Sequence, residues 1–154
     1  MNEAQRKFLN AYLSHTDLEL GIAASSIKAG FFCSDEENAN LCAKLILNGV
    51  KTATCSMKYW YESGLEPMPK KGDLQIVTDW TGNPVSIIET IEVSECKFSD
   101  ITAEFAAQEG EGDKSLAWWR RAHWAYFAAE CEEQGIKPGK DMVLVLEKFK
   151  VVYS

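Results

Sequence analysis

The chain has 154 residues, 46% of them hydrophobic and 25% charged, with 10 Gly and 4 Pro. That composition fits one globular domain able to close its own core, and it excludes a disordered tail, a collagen-like repeat and a disulfide-stapled miniprotein. Sixteen Lys+Arg against 23 Asp+Glu leave a net charge of -7, the wrong sign for gripping a long nucleic-acid duplex by counterion release.

Asn2 and Gln5 form a capping box that opens a first helix, and Phe8, Leu9, Tyr12 and Leu13 make its apolar stripe. A loop with Gly21 and Gly30 leads to Ser34, which with Glu37 reads as a second capping box. Leu41, Cys42, Leu45 and Ile46 then supply a buried stripe, and Gly49 stands where a left-handed residue ends a helix. Thr52–Met57 reads as a short strand, and Tyr61–Gly72 as a loop carrying Lys70 and Lys71. Strands follow at Asp73–Thr78 and Val85–Val93, joined by the turn Thr81-Gly82-Asn83-Pro84. Alternation on the second places Val85, Ile87, Glu89, Ile91 and Val93 on one face. A short helix from about Ile101 to Gln108 runs into Glu109-Gly110-Glu111-Gly112, and Asp113 caps a long helix with Leu116, Trp119, His123, Tyr126 and Phe127 on one side. An alternating strand, Met142–Tyr153, closes the chain. Strands interrupted by helices without a β-α-β rhythm predict an α+β fold with a mostly antiparallel sheet or small barrel.

No apolar run reaches the roughly 20 residues that span a bilayer, and Met1–Tyr12 lacks a basic segment followed by an apolar one. A soluble, cytoplasmic protein with no membrane partner is expected. Cys33, Cys42, Cys55, Cys96 and Cys131, with His15 and His123, show no zinc-ligand spacing. No metal or cofactor is therefore expected, and the thiols read as free in a reducing compartment, Cys55 among them as a small core residue.

Three features can carry chemistry. Lys51 lies at a helix-to-strand junction beside the hydroxyls of Thr52, Thr54 and Ser56, where it is either a solvated lysine or a carbonyl or phosphate ligand. With its pKa lowered by burial it would be a nucleophile. The turn Glu109-Gly110-Glu111-Gly112-Asp113 is either a solvated acidic loop or a carboxylate aimed into a cleft as a general base. His123 reads as structural or as a proton carrier. Among the aromatics, Tyr59 and Trp80 are candidates for stacking a nucleobase.

The segment Gly49-Val50-Lys51-Thr52-Ala53-Thr54, following an apolar helix, resembles the G-x-K-x-x-T signature of the ASCH (activating signal cointegrator homology) domain. Lys71-Gly72-Asp73 before a strand resembles that family's second common feature. Phe105–Asp113, Ser115–Trp119 and Ala122-His123-Trp124 look like its bacterial branch. The resemblance runs from about Phe31 to Tyr153, with an N-terminal helix ahead of it in a single domain. It implies a PUA-like, mostly antiparallel β-barrel flanked by α-helices, and a cleft suited to RNA or a modified nucleoside.

Small bacterial members of the family act as acetylcytidine amidohydrolases through a lysine, a threonine three residues later and a downstream glutamate. Carried across, these are Lys51, Thr54 and either Glu109 or Glu111. Thr52, Ser56, Tyr59, Trp80 and Ser115 are the accompanying substrate-binding candidates. Many members carry an arginine where this chain has Ser56, and its absence, with the acidic charge, favours a nucleoside or a short single strand as partner. The expected mechanism is metal-independent amide hydrolysis by Lys51 with a depressed pKa. A single-strand ribonuclease using Lys58, Lys70, Lys71, Arg120 and Arg121, and a non-catalytic RNA- or nucleotide-binding module, are the alternatives. The aromatic surface leaves a homodimer open.

Overall fold

A computed structural model gives the fold; it describes residues 1–16 and 27–154. The loop expected around Gly21 falls outside them. In chain order the elements are α1 (Glu3–Leu13), β1 (Lys28–Gly30), α2 (Glu36–Leu47), β2 (Ala53–Met57), α3 (Tyr59–Glu62), β3 (Leu74–Thr78), β4 (Pro84–Lys97), α4 (Ala103–Glu109), α5 (Leu116–Glu133) and β5 (Val143–Tyr153). The strands form one sheet in the order β1-β3-β4-β5-β2, with β1 parallel to β3 and every other pair antiparallel. Among the described residues β1 and β2 are edges, so the sheet is a half-barrel, and the fold is α+β. Among the described residues no helix is long and apolar enough to cross a membrane.

Both faces of the sheet are covered, which explains why neighbouring residues on one strand are buried together. Ile76 and Ile87 face Leu9, Tyr12 and Leu13 of α1. The next residues, Val77 and Ile88, point to the opposite face and pack on Ala43 and Ile46 of α2 together with Phe149. A third core joins Ala53, Met57 and Leu144 of the sheet to Phe105, Trp119 and Phe127 of α4 and α5.

The sequence pattern departs from this structure in four places. α2 is capped by Asp35, whose carboxylate accepts from the Asn38 amide at 2.9 Å, not by Ser34. Its buried stripe is Ala39, Cys42, Ala43 and Ile46, while Leu41 is exposed. The expected loop after Tyr61 begins inside a one-turn helix, α3. On β4 the pairing with β5 slips between Ile87 and Ile88 and again between Thr90 and Glu92. Each slip resets the alternation, so Ile91 is exposed and Glu89 pairs across the strands with Lys150 at 3.1 Å rather than facing a core.

The fourth departure is the start of α5. Ser115, in extended conformation, caps it by accepting from the Trp118 amide at 3.1 Å, and Asp113 instead accepts from the Ser115 amide at 2.8 Å in a turn ahead of the helix. Ser115→Ala is expected to cost about 1 kcal/mol of stability in urea unfolding, the usual worth of a lost N-cap.

Candidate active site

Three chain segments meet at Lys51. α2 ends at Gly49, whose φ of +70° lets the amides of Val50 and Lys51 both turn back to the Leu45 carbonyl, at 2.9 and 3.1 Å. The Thr52 amide then donates to the Gln108 carbonyl at 2.8 Å, and the Thr52 carbonyl accepts from the Phe149 amide at 2.9 Å. Lys51 is thus pinned between the ends of α2 and α4 and the interior strand β5. α4 stops at Gly110, also left-handed at φ +71°, and a Cβ there would stand 2.5 Å from the Val50 carbonyl oxygen. Only glycine lets the backbone carrying Glu109 approach the backbone carrying Lys51 this closely.

The result is a buried ion cluster. Lys51 is 2% exposed and Glu109 1%. The ammonium of Lys51 donates to Glu109 Oε2 at 2.8 Å, to Glu111 Oε2 at 3.0 Å and to the Glu109 carbonyl at 3.4 Å, so each of its three hydrogens has an acceptor. Burial pulls the lysine pKa down, but the charges of Glu109 and Glu111 outweigh that and hold it above the ordinary lysine value. The expectation of a depressed pKa is therefore overturned: Lys51 is a cation, not a free amine. For Glu109, burial acts upward, while Lys51 and His123 act downward and win, holding the carboxyl below the usual range.

His123 completes the cluster. Its Nδ1 faces the Trp119 carbonyl at 3.0 Å, and a carbonyl only accepts, so Nδ1 carries a proton. Nε2 then points at Glu109 Oε2, 3.5 Å away, and the ring is stacked on Trp119 at 4.2 Å. Glu109 Oε1 is buried with no hydrogen-bond partner among the described residues. Cys55 also faces Glu109, its thiol pKa pushed well up first by burial and then by that carboxylate.

The cluster forms part of the wall of a cavity of about 500 Å³ that also receives Thr54, Cys55 and Ser56 of β2. Successive residues of a strand point to opposite faces, so the cavity reaches round this edge strand. Of the sequence candidates, Lys51, Thr54, Ser56, Glu109 and Glu111 share it. Thr52 lies behind it, lining a second hollow with Ile46 and Phe149. Tyr59 packs edge-on to Trp60 against the core, Ser115 is a helix cap, and Trp80 leans on Phe31 at 4.7 Å without lining the cavity itself.

Of the neighbouring aromatics, sequence reasoning favoured Tyr59 over Tyr61, whose hydroxyl meets Ser56 Oγ at 2.6 Å in the cavity, and it missed Glu147, which sits opposite Thr54 across the β2–β5 ladder. A lone carboxylate between Val145 and Phe149 was the available signal for Glu147. Nothing in the linear sequence separates Tyr61 from Tyr59.

Comparison with known proteins identifies the family. The ASCH domain family matches the chain over residues 28–153. The crystal structure of an ASCH domain from Lactobacillus crispatus is similar over 100% of this chain and 97% of its own, at 52% identity and a TM-score of 0.95. A protein of Enterococcus faecalis is similar at 28% identity and a TM-score of 0.88, over 99% of this chain and 90% of its own. A hypothetical protein at 17% identity, with a TM-score of 0.53 over 82% of this chain and 98% of its own, shares the fold alone. No curated protein matches the chain. With the family match extending over most of its length, the chain belongs to the ASCH domain family.

Proposed function

We propose that the protein is an amidohydrolase of an acylated nucleoside such as acetylcytidine. The observation that carries this reading is the buried Lys51–Glu109 pair opening on the same cavity as Thr54. Water adds to the acyl carbonyl while Glu109 takes the water proton through Oε1, its basicity rising as the Lys51 charge is shared with the developing oxyanion. The Lys51 ammonium stabilises the oxyanion that develops by exchanging its longest contact, 3.4 Å to the Glu109 carbonyl, for it, and its raised pKa keeps it charged for that role. Collapse breaks the carbon–nitrogen bond, and the proton held by Glu109 passes to the departing exocyclic amine. Thr54 orients the acyl group, Glu111 holds Lys51 from the second side, and His123 steadies Glu109.

Charge at the cavity favours this substrate class over a polynucleotide. Among the described residues, five carboxylates, Asp35, Glu66, Glu109, Glu111 and Glu147, line it against one lysine, Lys51. A phosphodiester would be repelled, whereas a neutral nucleoside would not. Lys58, Lys70, Lys71, Arg120 and Arg121 are not among the lining residues, and Lys58 is paired with Glu62 and Glu95.

The deciding assay is turnover of acetylcytidine to cytidine and acetate beside a single-stranded oligoribonucleotide. Hydrolysis of the nucleoside with an intact oligonucleotide is expected. Cleavage of the oligonucleotide alone would establish the ribonuclease instead, and binding of either without turnover a recognition module.

A further inference from the structure

Two thiols meet beside the ion cluster. Cys33 Sγ and Cys42 Sγ are 3.1 Å apart, and Glu111 Oε1 stands 3.8 Å from the first and 3.5 Å from the second. Glu111 thus divides its oxygens, Oε2 to Lys51 and Oε1 to the thiols. The circle through these three donor atoms has a radius of about 2.0 Å, so a point about 1 Å above their plane lies about 2.2 Å from each, close to zinc–thiolate and zinc–carboxylate bond lengths. A tetrahedral ion about 2.3 Å from both thiolates sets the sulfurs about 3.8 Å apart, so Cys33 and Cys42 part by about 0.7 Å to share it.

We propose that Cys33, Cys42 and Glu111 bind a thiophilic divalent cation, Zn²⁺, with its fourth coordination position open to the cavity. Two thiolates and a carboxylate favour zinc over magnesium or calcium, which prefer all-oxygen shells. Cys33 and Glu111 both line the cavity, whereas Cys42 is buried behind them on α2. Three protein ligands with one accessible side is the arrangement of zinc sites that keep an exchangeable ligand. Linear spacing concealed the set: the cysteines are nine residues apart, and Glu111 follows Cys42 by 69.

The proposal does not depend on amide hydrolysis, and its test reads the metal directly. Full-length protein, reduced and stripped with a chelator, is titrated with Co²⁺ and then with Zn²⁺. The expected result is one equivalent of Co²⁺ with sulfur-to-cobalt charge-transfer bands and the intense visible bands of tetrahedral coordination, all lost on adding Zn²⁺. Cys33→Ser, at a half-buried position, should abolish the charge-transfer bands with an unchanged circular dichroism spectrum, and Cys42→Ala should do the same. Absence of the bands in the unaltered protein, or their survival in Cys33→Ser, would overturn the assignment.

Discussion

Lys51→Met is expected to lower acetylcytidine turnover by about 10²–10³-fold, the loss that follows removal of a preorganised oxyanion donor. The same change is expected to destabilise the fold by about 3–5 kcal/mol, because it leaves the Glu109 carboxylate buried without its cation. The two effects are separable. Adding Glu109→Gln removes the orphaned charge, so the double variant should recover most of the lost stability in urea unfolding while remaining inactive. Wild-type turnover in Lys51→Met would sink the proposed chemistry. Unchanged stability would show that the pair is not charged in the folded protein.

Gly110→Ala should be nearly as damaging, although it adds one methyl group and touches no charge. The left-handed backbone strains any L residue there, and the new Cβ would meet the Val50 carbonyl at 2.5 Å and Lys51 Cα at 3.1 Å. Together these cost roughly 2–5 kcal/mol, and relief of the clash separates Glu109 from Lys51, so turnover falls as well. Gly49→Ala is the matched control. Its φ is also +70°, but nothing lies within 4 Å of the position where a Cβ would stand, so only the backbone strain of about 1 kcal/mol applies. Equal losses for the two variants in urea unfolding would show that close approach at Gly110 is not what holds the site together.

The sequence made the elements and the family resemblance legible, because capping chemistry and apolar spacing are local. Asn2 with Gln5, the left-handed Gly49 and the final strand could be read directly. The misplaced caps have a local cause too: Ser34 and Asp35 are both competent N-cap residues, and so are Asp113 and Ser115, and only the backbone conformation decides between them. The slips in β4 leave no such trace, since Ile91 is apolar and fits an alternation that the bulge then breaks. At the site, Lys51 and the two glutamates were visible through the G-x-K-x-x-T segment and the acidic turn. Their electrostatics were not. Whether a buried lysine is a base or a cation depends on how many carboxylates surround it, and both of its partners are 58 or more residues away. Cys55 and His123, read as core and structural side chains, face Glu109 for the same long-range reason.

The strand order also sets a timetable. β2, which carries Thr54, is bonded in the sheet only to β5, and β5 comes last in the chain. During synthesis the Lys51 segment therefore emerges long before the strand that anchors it through Phe149. The N-terminal helices and the β3–β4 hairpin can form as they appear. The cavity wall cannot, so a nascent chain stalled short of β5 would carry Lys51, Glu109 and Glu111 without the cavity they line.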